Sequence, residues 1–376
     1  MSFYKSIVRP VMFQFDPEKV HRCTVRACGL LGRIGLVRSC ARALFGCIDD
    51  PRLRTTVAGI NFPSPVGLGA GYDKNGEGVE LLACLGFGLL DVGSVSLYPS
   101  SGNPKPRLFR LPLDEALACH LGVPNHGVEV VAPRLASLQL PVPLAITVVQ
   151  TNTGKPKNFD AAIPEIVATV RRFVGIPDLI FISASCANTE GKPFADKVRL
   201  RRLFDLLGEI DGLPPVFLKI NLSYFEEIDE VLSVTDDFPF IRGFRPGAII
   251  AAREAQGLKT PPSEIARVSG TVNGPPLKPL MLELMRQWYE RIDPSRYAML
   301  AQGGIRSGQD AYEAMRAGAS LVGFVTGLVY EGPALARRIG VELSQLLARD
   351  GFKNVADAVG VDSAKASSLA GRKAAI

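Results

Sequence analysis

A chain of 376 residues with 47% hydrophobic side chains is long and apolar enough for one large globular α/β domain with a small appendage, and it excludes a disordered protein. The formal net charge of +6 is concentrated in residues 1–45, where eight Lys and Arg stand against two acidic residues. Such a segment suits an anionic membrane surface, whereas the lack of an aromatic-interleaved basic patch speaks against nucleic acid.

In chain order, Phe3, Ile7 and Val11 recur every four residues, as do Tyr4, Val8 and Met12, with Lys5 and Arg9 elsewhere on the wheel. This spacing predicts a short amphipathic helix. A second helix should begin at Asp16-Pro17-Glu18, with Asp16 as cap and Pro17 in the first helical position. Its apolar positions include Val20, Val25, Leu30, Leu31 and Ile34. Two readings are open: helices that lie on a membrane, or a hairpin that caps a larger domain. No run of about 18 uncharged apolar residues occurs, so no transmembrane helix is expected, nor is a secretory leader. The seven cysteines, at 23, 28, 40, 47, 84, 119 and 186, lack zinc-site spacing and are odd in number. A reducing compartment and no metal site follow.

From Thr55 the pattern alternates. Thr55 to Phe62 reads as a hairpin closing a barrel floor. Apolar strands are expected near 65–69, 89–93, 143–149, 178–184, 215–220, 246–251, 297–301 and 320–324, with helices such as Phe159–Val174, Ala195–Leu207, Leu277–Arg291 and Gln309–Ala317 between them. Strands alternating with helices in this way predict an α/β fold, a parallel (β/α)8 TIM barrel with a small N-terminal helical extension. Chemistry in that fold belongs on the loops after the strand C-termini. The division expected is residues 1–45 as the amphipathic segment, 46–349 as the barrel and 350–376 as a mobile tail.

Several motifs fall at strand ends. Pro65 to Glu77, PVGLGAGYDKNGE, runs from an apolar strand into Gly67, Gly69 and Gly71 and then presents Asp73 and Lys74. Without a Cβ the backbone can approach a flat ligand, although an ordinary tight turn is equally compatible. Ala301-Gln-Gly-Gly-Ile305 and Val325-Thr-Gly327 follow the last two strands, where barrels of this kind hold phosphate, and plain turn glycines are the alternative. Lys219 lies in Val216-Phe-Leu-Lys-Ile220, a costly place for a cation unless it meets an anion or snorkels outward. Cys186, in the loop after the fourth strand, is either a reactive thiol or an inert one. His120 and His126 are candidate acid–base groups or surface side chains.

Together with Leu85-Gly-Phe-Gly88, Asn103-Pro-Lys-Pro-Arg107 and Phe13-Gln-Phe-Asp-Pro-Glu-Lys-Val-His21, these blocks resemble the membrane-associated, quinone-using class of dihydroorotate dehydrogenases from Phe3 to about Ile339. The resemblance implies FMN. Ala70, Gly71, Lys74, Ser94, Thr147, Ser183, Lys219 and Gly274 match positions around the ring, and Gly303, Gly304, Val325 and Thr326 match positions around the phosphate. It implies Cys186, where the quinone-using class has serine, as the general base and a small-molecule substrate contacted by Lys74, Asn125 and Asn188; Arg253, in the displaced triplet after the sixth strand, offers an ion pair to a substrate carboxylate instead of the missing asparagine. It also implies a quinone partner at the N-terminal helices, and peripheral attachment to the cytoplasmic face of the cell membrane. The pattern departs from the family at Cys119, Thr147, Ser183 and Ala252, where asparagines are expected. A member with another substrate, or a flavin-binding protein without turnover, therefore stands beside the main reading.

Overall fold

The computed structural model of the chain describes residues 3–154, 159–183, 196–221, 228–247 and 249–363. Among the described residues thirteen strands are found: β1 Thr55–Val57, β2 Ile60–Phe62, β3 Val66–Leu68, β4 Leu89–Val95, β5 Leu108–Leu111, β6 Ala116–Cys119, β7 Leu144–Val149, β8 Leu179–Ser183, β9 Val216–Asn221, β10 Ile241–Gly247, β11 Thr271–Asn273, β12 Ala298–Gln302 and β13 Leu321–Phe324. Eight of them close a barrel in the order β10-β12-β13-β3-β4-β7-β8-β9, and their ladders are parallel. The expected (β/α)8 architecture is present.

Inside the barrel, side chains come in levels. At the N-terminal mouth, Leu89, Ala145, Leu179, Phe181, Phe217, Leu300 and Leu321 pack on Val57 and Phe62 of the β1–β2 hairpin, which plugs the floor as expected. Above them, Asp91, Thr147 and Arg245 form a buried polar level. The C-terminal mouth carries Ser183, Lys219, Gly247 and Gln302.

The sixth barrel strand is displaced from expectation. It spans Ile241–Gly247, not 246–251. The apolar run after it packs elsewhere: Ile250 accepts a backbone bond from Val272 (2.9 Å), and Ala251 bridges Thr271. Ala252 joins Leu111, Ala116, Ala118, Val268 and Val272 in a small separate core. That core underlies a three-stranded antiparallel sheet, β5-β6-β11, which the sequence did not announce because its strands are three or four residues long.

The N-terminal segment is a π-helical turn, Tyr4–Val8, continuing into α1 (Arg9–Phe13), then α2 (Pro17–Gly32) and α3 (Gly35–Phe45). Asp16 caps α2 by accepting from the Lys19 N–H at 2.8 Å, with Pro17 in the first turn, as expected. The segment is tied to the barrel by ion pairs. Arg107 donates from Nη2 and Nε to Glu18 at 2.8 and 3.2 Å, and both residues are buried. Glu331, also buried, takes Lys5 at 2.7 Å and Arg338 at 2.6 Å.

The tail expected to be mobile from Asp350 instead packs on the barrel through residue 363. Val355 and Ala358 are buried in the main core, and Asp362 pairs with Arg316 at 2.5 Å.

Burial opposes ionisation of Glu18, but Arg107 and Lys105 outweigh it and hold the carboxyl below its ordinary value. A depressed carboxylate contributes stability above its unfolded pKa and loses it as pH falls through the folded value. The docking of α2 should therefore persist at neutral pH and weaken below about pH 4.5. Arg107→Ala would leave buried Glu18 with only the exposed Lys105 at 3.5 Å, an expected loss of up to about 3 kcal/mol in denaturant unfolding.

Candidate functional site

At the C-terminal mouth the loops enclose a cleft of about 290 Å³. Ser94, Ser183, Lys219, Gly274, Gly303, Gly304, Val325 and Thr326 line it, as the sequence motifs suggested. Gly304 has a φ of 79°, and a Cβ there would lie 2.7 Å from Lys278 Cβ and 3.0 Å from its backbone nitrogen. Gly274, at φ 115°, would press a Cβ to 2.9 Å from Thr326 Cγ2. Both sites therefore require glycine. The helix Thr326–Glu331 starts at this wall, so its first N–H groups lack intrahelical acceptors.

A second cavity, about 810 Å³ and mainly apolar, lies between the N-terminal helices and the barrel. Tyr4, Val8, Met12, Phe13, Val20 and Leu44 are among its walls, together with Ala70, Gly71 and Lys74 from the loop after β3. Cys119, Leu121, Asn273, Gln302, Val325, Thr326 and Glu331 belong to both cavities. A polar cleft and an apolar chamber thus share one wall.

Polar groups along the apolar chamber are held uncharged or compensated. The loop that carries Lys74 is shaped by buried Asp73, which accepts from the N–H groups of Asn75, Glu77 and Gly78 at 3.3, 3.0 and 2.7 Å. Lys74 faces the interior chamber beneath the surface, donates to the Gly71 carbonyl at 2.7 Å and lies 3.4 Å from His21 Nε2. Burial lowers its pKa. Burial, then Lys74, drives His21 down to about 3, so its imidazole is neutral at physiological pH. Burial pushes the Cys119 thiol up against the pull of Lys74, and Asn273 Nδ2 donates to its sulfur at 3.5 Å. Arg110 donates to the carbonyls of Phe15 at 2.7 Å and Phe13 at 3.3 Å and lies 4.5 Å over the Phe13 ring.

Three sequence candidates are placed elsewhere. Thr147 is fully buried below the cleft, where it donates to Asp91 Oδ1 at 2.8 Å and accepts from Arg245. Asn125 is buried with its amide fully engaged: it donates to Ser96 Oγ and Val123 O and accepts from the N–H groups of Ser96 and Gly127. It braces a loop, because an amide that already makes four hydrogen bonds has nothing left for a ligand. Arg253 is exposed and donates to the Ala266 carbonyl at 3.4 Å; the displaced sixth strand carries it past the cleft. Cys186 and Asn188 lie outside the described residues. His120 stacks near Phe109 and meets Ser269 Oγ at 3.1 Å on the cleft wall, and His126 lies 3.8 Å from Glu77.

Arg245, Asn273 and Gln302 were missed. Arg245, like Lys219, is a cation inside an apolar strand, but it precedes the span 246–251 expected for the sixth strand. Asn273 sits in a strand too short to show a period.

The fold and the two joined cavities define a parallel-barrel protein whose ligand cleft lies at the strand C-termini. A family model described as dihydroorotate dehydrogenase matches residues 52–347. A dihydroorotate dehydrogenase (quinone) of Natronomonas pharaonis is 35% identical over 96% of this chain and 100% of that protein. One from Nocardia farcinica is 34% identical over 94% of this chain and 95% of its own length. The crystal structure of DHODH from Eimeria tenella in complex with ferulenol superposes with a TM-score of 0.78 at 28% identity, covering 92% of this chain and 96% of that one. The chain belongs to the dihydroorotate dehydrogenase family.

A base whose folded pKa is depressed is protonated first in the unfolded state, so stability falls as pH drops. His21 should make unfolding take up a proton below about pH 6.5 and down to about 3. Urea titrations across that range should show the loss, and His21→Leu should flatten it.

Proposed function

We propose that this protein is an FMN-dependent dehydrogenase that oxidises dihydroorotate to orotate and delivers the electrons to a quinone. The observation that carries the reading is the shared wall: one ligand at Cys119, Asn273, Gln302 and Thr326 would border both the polar cleft and the apolar chamber. The relatives named above act with quinone according to their names, and this chain covers nearly their full length.

The residues fit FMN. Gly303, Gly304 and Thr326 offer backbone N–H groups and space for a phosphate, and the cleft floor supplies Lys219 and Arg245 for the polar edge of a ring. When bound, FMN supplies the two-electron sink that the polypeptide lacks. Lys219 would hold negative charge at the ring, Ala70, Gly71 and Lys74 would bound its edge toward the chamber, and Ser94 and Ser183 would orient it. Proton removal from the substrate is assigned to Cys186, with Asn188 as a substrate contact, both from the resemblance. At the substrate end, Cys119 with Asn273 takes the place of one expected asparagine.

The apolar chamber is assigned to the quinone. Among the described residues no helix is long and apolar enough to cross a membrane. Leu30 (66%), Leu36 (74%) and Leu44 (66%) are exposed on α2 and α3, and Phe3, Ile7 and Val11 are exposed before them. These side chains and the basic charge of the segment support peripheral attachment to the cytoplasmic face of the membrane.

Anaerobic mixing of the yellow protein with dihydroorotate should bleach the flavin, and added quinone should restore the colour. Bleaching by another donor but not by dihydroorotate would move the substrate. Leu30→Glu/Leu36→Glu should reduce binding to anionic vesicles and slow reoxidation by a long-chain quinone, with bleaching by dihydroorotate unchanged. Gly304→Ala should weaken FMN affinity on the order of tenfold or more, read by fluorescence titration.

A further inference from the structure

We propose that Arg245 is a second cation beneath the flavin ring, held in place by Asp91, and that this pair sets how strongly the protein favours reduced over oxidised flavin. The proposal rests on the FMN reading above.

Arg245 is 2% exposed, lines the cleft and is the register neighbour of Lys219 on the adjoining strand. Its Nη1 pairs with Asp91 Oδ2 across the barrel, its Nη2 donates to Thr147 Oγ1 at 2.9 Å, and its guanidinium lies 4.1 Å over the Phe181 ring. Its Nε is buried with no acceptor among the described residues. Asp91 and Thr147 are buried and do not line the cleft, so the carboxylate stands behind the guanidinium as seen from the ligand. The pair is a fixed dipole with its positive end toward the cleft.

Such a pair is poorly screened by salt because it lies in the barrel interior. A ring that gains negative charge on reduction is stabilised more than the neutral oxidised ring, and that difference is a shift in potential. A structural brace would be satisfied by Asp91 and Thr147 alone. The place beside Lys219 on the cleft floor, with the carboxylate behind it, turns the positive end of Arg245 toward the ligand.

The test is the midpoint potential of FMN bound to the purified holoprotein. Arg245→Gln should lower it, with preference for reduced FMN falling about tenfold, which is about 30 mV for a two-electron couple. Asp91→Asn removes the counter-charge and should raise it. Each single change leaves its partner buried alone, so Asp91→Leu/Arg245→Met serves as the variant that restores a neutral core. It should retain FMN and show the lowered potential. Shifts of opposite sign in the two single variants, with the double variant following Arg245→Gln, support the proposal. Equal potentials in the wild type and the double variant overturn it, even if the single variants unfold at lower temperature. A wild-type protein that takes up no FMN overturns the flavin reading itself.

Discussion

Arg245 reaches across the inside of the barrel from β10 to Asp91 on β4, and the cleft floor is built on that bridge. A guanidinium in the interior of a parallel barrel is tolerable only when a carboxylate and further acceptors meet it. Asp91 and Thr147 do so from neighbouring strands, and Phe181 offers its face from the next one. The level below is apolar and plugged by the floor hairpin, so the polar level cannot be hydrated from beneath. Charge inside the barrel is thereby confined to the side where a ligand would lie.

A second constraint joins the N-terminal helices to the barrel. Helices with so much exposed apolar surface gain little by packing on solvent-facing elements, and the enclosed chamber would not persist without specific ties. Arg107 to Glu18 fixes the start of α2 to the segment before β5, and Lys5 with Arg338 fixes Glu331 beneath the first turn. Tyr4 adds a hydroxyl bond to the Val329 carbonyl at 2.7 Å. The chamber's polar groups are arranged to suit an apolar guest: His21 is neutral, Lys74 is turned onto a carbonyl, and Arg110 covers the Phe13 ring while bonded to backbone.

The substrate end differs most from expectation, and the structure gives the differences a pattern. Thr147 is engaged by Asp91 and Arg245 below the cleft, so its hydroxyl serves the barrel interior. Cys119 keeps its place on the wall between the cavities and receives the amide of Asn273 from the antiparallel sheet. Ala252 has left the site for the core beneath that sheet. Where the sequence led one to expect side-chain amides, the wall and floor of the cleft are instead built by Asn273 of β11 and by the charged level beneath.

Local patterns in the chain were enough for the barrel, the floor hairpin, the Asp16 cap and the glycine loops after β3, β12 and β13. Each depends on neighbours in sequence: apolar periodicity, a capping side chain, or a backbone that tolerates no Cβ. The placement of β10, the antiparallel sheet and the packing of residues 350–363 were decided only in three dimensions, because apolar runs there join partners far along the chain. The engagement of Asn125 and Thr147 by their neighbours, and the union of Asp91 with Arg245 across 154 positions, have the same origin. A side chain's availability for a ligand depends on what else satisfies its hydrogen bonds and charge, and barrel closure chooses those partners.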